Sequence, residues 1–169
     1  MKLKHLFISA GILTILAVAC KKDTSGNSTL RIRMTDAPTA LEEVNVDLQQ
    51  VNIKFAKDSS GWVNMETKAG VYNLLGLQNG LDTLIAQGSF PQGSEVKEIR
   101  LVLGSNNSVK AMGTVYPLTI PSGSQSGLKI KINKKLHSSL DSLLIDFDAA
   151  LSVKKEGDGY KLRPVIKLK

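Results

Sequence analysis

The stretch "VNVDLQQVNIKF", residues 44–55, decides the fold. Val44, Val46 and Leu48 recur at every second position, as do Val51, Ile53 and Phe55. Period-two alternation places one apolar face on an extended strand. The step from Leu48 to Val51 is odd, so the second half of the run points its apolar residues in the opposite phase. A strand with one buried face repairs such a slip with one extra residue, which predicts a β-bulge at Gln49–Gln50.

The same alternation spreads outward along the chain. Leu30, Ile32 and Met34 share a face in "LRIRM", and Ile99, Leu101 and Leu103 share another. Leu128, Ile130 and Ile132 alternate with Lys129 and Lys131, and Leu143, Ile145 and Phe147 alternate with Leu144, Asp146 and Asp148. Residues 162–168 end the chain as a strand whose Pro164 implies an edge position or a bulge. Turn chemistry separates these runs. "DSSGW" closes the strand before Trp62, "NG" at 79–80 and "DG" at 158–159 suit tight turns with positive φ, and "PQGSE", "GSNNS" and "PSGSQSG" read as loops. Only "VYNLLGLQNGLDTLIAQG" offers helical spacing, through Leu74, Leu77, Leu81, Leu84 and Ile85. Gly76 and Gly80 limit it to a short helix at most. Many short strands with Gly-rich turns predict an all-β sandwich of Greek-key type over residues 29–169.

The first twenty residues, "MKLKHLFISAGILTILAVAC", have another character. Lys2 and Lys4 precede an uncharged run from Leu6 to Ala19, and small residues lead to Cys20, the only cysteine. As a helix that run measures roughly 21 Å, too short for a hydrocarbon core of about 30 Å. The pattern therefore predicts an export signal over 1–19. Ala19–Cys20 resembles the lipobox of bacterial lipoproteins, although Ala17 stands where that pattern prefers Leu and Leu16 lies one place earlier. The resemblance implies cleavage before Cys20, lipid on its thiol and residues 20–28 as a flexible tether. The open alternative is an ordinary signal peptide that leaves a free thiol. Lys21 is not the aspartate of an inner-membrane retention signal, so the expected address is the outer membrane.

After the tether, "RMTDAP", "VNVDLQQVNIKF", "GW", "NLLGLQNG", "EIRLVL", "PSGSQSGLKI", "LLIDFDAALSV" and "YKLRPVI" follow in order. Together they resemble a family of bacterial lipoprotein domains known as domain-of-unknown-function family 4382. The resemblance implies an exported sandwich of immunoglobulin-like or transthyretin-like topology, with no established activity and no functional residues to carry over.

The chemistry-bearing residues are few. The formal net charge is +7, and loss of residues 1–19 would leave 20 basic against 15 acidic side chains. The basic residues alternate along strands, which predicts solvated faces; no aromatic cluster accompanies them, so a nucleic-acid groove is not expected. His5 belongs to the signal, leaving His137 in the polar stretch "KKLHSSLDS" without a second histidine or a spare cysteine for a zinc site. No nucleophile elbow, P-loop or dinucleotide fingerprint occurs. Asp36, Asp146 and Asp148 are the remaining candidates. In "IDFD" the last two project from one face of their strand, so the three could in principle hold Ca²⁺, although structural roles are the simpler expectation. Trp62 is expected in the core, closing the sandwich, the alternative being exposure at a loop edge after "SSG". No catalytic residue, metal or cofactor is expected.

These observations predict a non-catalytic, lipid-anchored binding or adhesion module whose loops at 104–108 and 121–127 meet an extracellular protein or a glycan. The alternatives are an accessory subunit of an envelope complex engaged through an open sheet edge and a glycan-binding module.

Overall fold

The computed structural model describes residues 26–56, 61–121 and 127–169. The signal segment 1–19 and Cys20, with most of the tether, lie outside the described residues. Strands are numbered in chain order. The strand read first in the sequence, β2 (Glu43–Phe55), runs through the middle of the larger sheet. On one side it pairs with β7 (Glu95–Leu103) and β8 (Ser108–Ala111); on the other it pairs with β3 (Val63–Asn64) and β5 (Gly70–Asn73). The sheet extends through β10 (Leu128–Lys135) beyond β7, and through β9 (Thr114–Thr119), β13 (Gly159–Leu162) and β12 (Val153–Glu156) beyond β8.

The smaller sheet has the order β14 (Ile166–Leu168), β11 (Leu140–Phe147), β1 (Asn27–Thr35), β6 (Thr83–Pro91) and β4 (Glu66–Thr67). The two sheets form an all-β sandwich. The register of β2 with β7 shifts between Leu48 and Gln50, the expected bulge. Its effect on packing is direct: Val46 and Leu48 before the shift, and Val51 and Ile53 after it, are all buried in the same core. Leu30, Ile32, Ile99, Leu101, Ile145 and Phe147 meet them there from β1, β7 and β11. Each such side chain contributes about 1.5–3 kcal/mol on burial.

Several local readings change. The stretch 71–88 holds a short helix, as expected, but only a single 3₁₀ turn over Leu74–Leu77; the rest divides between β5 and β6. Leu84 and Ile85 therefore lie in a strand, where ladder pairing with β1 overrides their helical spacing. Among the described residues the one α-helix is a single turn, α1 (Ala149–Ser152). Asn79 and Gly80 both take positive φ, as "NG" requires. At "EGDG" the positive φ falls on Gly157, one residue before the expected "DG" pair. Pro164 lies in neither strand but between β13 and β14, where the chain passes from one sheet to the other. The first strand begins at Asn27, so Asn27 and Ser28 belong to the ladder rather than to the tether.

The sandwich has two poles. At one, the amide of Gln92 donates to the carbonyl of Gly26 (2.9 Å), beside the turn after β6 and the segment that links β10 to β11. At the other lie the turn after β1, the 3₁₀ turn and α1, joined through Asp36, whose amide donates to the carbonyl of Leu77 and whose Oδ1 accepts from Ala149.

Candidate functional site

Asp36 follows β1 at the pole away from Gly26 and is buried. Its Oδ1 accepts from the amide of Ala149 (2.8 Å) and its Oδ2 from Nε2 of Gln78 (2.9 Å). Burial pushes its carboxyl above the ordinary value; the Ala149 amide and Gln78 work against that shift, and the neighbouring Asp148 adds to it. Asp148 caps α1: its side chain accepts from the amide of Leu151 (2.9 Å), the usual role of an N-cap aspartate. Its own amide donates to the carbonyl of Val165 (3.0 Å).

Asp146 lies opposite Thr35 in the β1–β11 ladder, with Oδ2 at 3.3 Å from Nζ of Lys167. Its Oδ1 is buried and has no hydrogen-bond partner among the described residues. Asp146 and Asp148 therefore do not act together from one strand face, because β11 ends at Phe147 and Asp148 has left the sheet to cap α1. Among the described residues no three His, Cys, Asp or Glu side chains gather closely enough to share a metal ion. The carboxylates of Asp36 and Asp148 are occupied by backbone and amide donors, which gives them structural work.

His137 is exposed, and its amide donates to Asp141 Oδ2 (3.2 Å). Asp141 was not singled out from the sequence, yet it organises the pole at Gly26. Ser28 Oγ donates to it (2.9 Å), the amide of Ser138 donates to it (3.4 Å) and Lys134 Nζ lies at 2.9 Å. Burial raises its carboxyl, but Lys134, Ser28 and Ser138 outweigh burial and bring it down to about 2.

Trp62 is not in the core. It lies half-buried against the outward face of the larger sheet, with Arg100 Cζ at 4.5 Å and Lys129 Nζ at 5.9 Å from its ring centroid. Residues 50, 52 and 54 of β2 point outward because 51 and 53 point in, and β3 is too short to carry Trp62 around the sheet edge. Cations hold an aromatic ring on a polar face by attraction to its π-electrons. Arg100 is fixed in turn, since its Nε donates to Asn52 Oδ1 (2.9 Å) and Asn52 Nδ2 donates to Asn64 Oδ1 (2.6 Å). Asn64, Asn52, Arg100 and Lys129 are register neighbours across four strands. The sequence signal was present in the lysines of β10 and the odd phase of β2, but the row exists only once the strands pair.

No curated protein and no solved structure matches the chain. A family model, described as "Domain of unknown function (DUF4382)", matches residues 27–164, from the first residue of β1 to the segment that follows β13. The chain is a member of that family.

Proposed function

We propose that the protein is a lipid-anchored envelope protein, held at the outer membrane through Cys20, whose sandwich serves as a non-catalytic binding or adhesion module. The observation that carries this reading is the position of the domain's root. Gly26 is bound to Gln92 at one pole, only six residues after Cys20. Six residues reach at most about 21 Å fully extended, so an anchor at Cys20 keeps this pole near the bilayer. The turn after β1 and the β8–β9 turn at Met112–Gly113, beyond the start of β2, then lie at the far pole, where a partner has access.

Edge docking has less support. The edge strand β10 carries Lys129, Lys131, Lys134 and Lys135, and the opposite edge β12 carries Lys154 and Lys155. The edges of the smaller sheet, β14 and β4, are three and two residues long. Charged and short edges discourage strand addition.

Fatty-acid labelling of intact cells tests the anchor. Wild-type protein is expected to label, and Cys20→Ala is expected to abolish labelling and leave unprocessed precursor in the membrane fraction. A labelled Cys20→Ala variant, or a soluble wild-type protein with a free thiol, overturns the reading.

A further inference from the structure

We infer that the outward face of β10, β7 and β2 binds an acidic polysaccharide, a deepening that rests on the binding-module reading. Four cations sit side by side on this face. Lys129 pairs across the ladder with Arg100, and in the next row Lys131 and Lys54 flank Glu98. Across neighbouring strands these positions are about 5 Å apart, and along one strand about 7 Å. Among the described residues none of the four makes a salt bridge, whereas Lys97, Lys110, Lys134, Lys161, Arg163 and Lys167 each have a carboxylate partner. One glutamate among four cations leaves a net positive surface, and like charges this close favour a polyanion laid across them.

The geometry selects the kind of polyanion. Arg100 is pre-oriented: its Nε is taken by Asn52 and its Cζ lies over the Trp62 ring, so its remaining donors suit carboxylate or sulfate oxygens. Half-buried Trp62 and the exposed side chain of Asn64 add the apolar and polar contacts that a sugar ring presents together, while Asn52 lies fully buried beneath them and holds Arg100 in place. An anionic bilayer would call for apolar side chains to insert beside the cations. None of the exposed large hydrophobic residues belongs to β2, β7 or β10. Single-stranded nucleic acid would call for successive aromatic platforms, and among the described residues Trp62 is the one aromatic ring that these cations lie over.

The test uses the full-length chain in neutral detergent and immobilised polygalacturonate. Capture is expected, weakened by salt as exposed charge pairs are. The double variant Lys129→Gln/Lys131→Gln is expected to weaken capture roughly ten-fold or more. Trp62→Ala, which alters no charge, is expected to weaken it too. The control Lys154→Gln/Lys155→Gln makes the same change in net charge on the opposite edge and is expected to leave capture unchanged. Equal losses in the two double variants overturn the inference, because only net charge would then matter. Failure to capture polygalacturonate overturns it, as does preference for anionic phospholipid vesicles or for single-stranded DNA. Capture is read on purified protein and is independent of labelling at Cys20. Labelling without capture ends this inference and leaves the anchor standing; capture without labelling supports this inference and ends the anchor reading.

Discussion

Gly104 lies against the carboxylate of Asp47. A Cβ built on Gly104 would fall 2.7 Å from Asp47 Cγ and closer still to Oδ2. The two residues meet where β7 breaks and resumes as β8 on the same side of β2. Through the break, Gly104 N donates to the carbonyl of Asp47 (2.8 Å), Asn106 N donates to Asp47 Oδ2 (3.1 Å) and Asp47 N donates to Asn107 Oδ1 (2.8 Å). Side chains thus replace the ladder bonds that the excursion removes.

Gly104→Ala is therefore expected to destabilise the fold by about 1–3 kcal/mol, the range for forcing extra volume into a packed site. Urea denaturation measures it. The double variant Asp47→Ala/Gly104→Ala should cost less than the sum of the two single losses, because removing the carboxylate removes the clash. Strict additivity would show that the contact between the two residues is not what forbids a side chain at 104.

Asp141 should stabilise the fold above the ordinary carboxylate range and lose that contribution in acid. Its folded value of about 2 lies below the ordinary 3.8. The unfolded chain therefore binds more protons between those values, and stability falls as pH drops through that window. Discounted for the partly exposed Lys134, the contribution is about 1–2 kcal/mol. The gap in urea midpoint between wild type and Asp141→Asn should close as pH falls from 5 toward about 2. A gap that stays constant would mean that the carboxylate charge is idle.

Asp36 should carry the opposite sign. Burial raises its folded carboxyl above 3.8, so the native state holds the proton more tightly than the unfolded chain. Stability is then greatest with the group protonated, and falls as pH rises from 3.8 through the raised folded value. Asp36→Asn keeps an acceptor for the Ala149 amide and removes the charge, so it should flatten that limb. Unfolding midpoints of the two proteins across the acid range measure this, and parallel curves would refute it.

Calcium should not raise the melting temperature. Asp36 and Asp148 spend their oxygens on protein donors, and Asp146 faces Lys167. A specific ion at a hundred-fold excess over its Kd would add about 2.7 kcal/mol. Thermal melts in excess calcium and in chelator are expected to coincide. A chelator-reversible rise that vanishes in Asp146→Asn would show instead that the unpartnered Oδ1 of Asp146 awaits a cation.

Period-two alternation placed β1, β2, β7, β10 and β11, and the odd step at Gln49–Gln50 located the bulge, because both are properties of consecutive residues on a pleated backbone. "NG" at 79–80 was legible for the same reason: positive φ is a local demand that Asn and Gly meet. β6 was not legible. Its "TLIAQGSFP" lacks clean alternation and carries Gly88 and Pro91, which weaken a strand, and it is a strand because β1 pairs along it. Tertiary structure alone decided what the aspartates do. Ser28 reaches Asp141, and Asp36 reaches Ala149, across 113 residues of chain, through the parallel pairing of β1 with β11. It also moved Trp62 from the expected core to an outward face, since the phase of β2 set Asn52 and Arg100 on that side. A side chain's period is written in its neighbours, but its partner is set by which strand the sheet brings alongside.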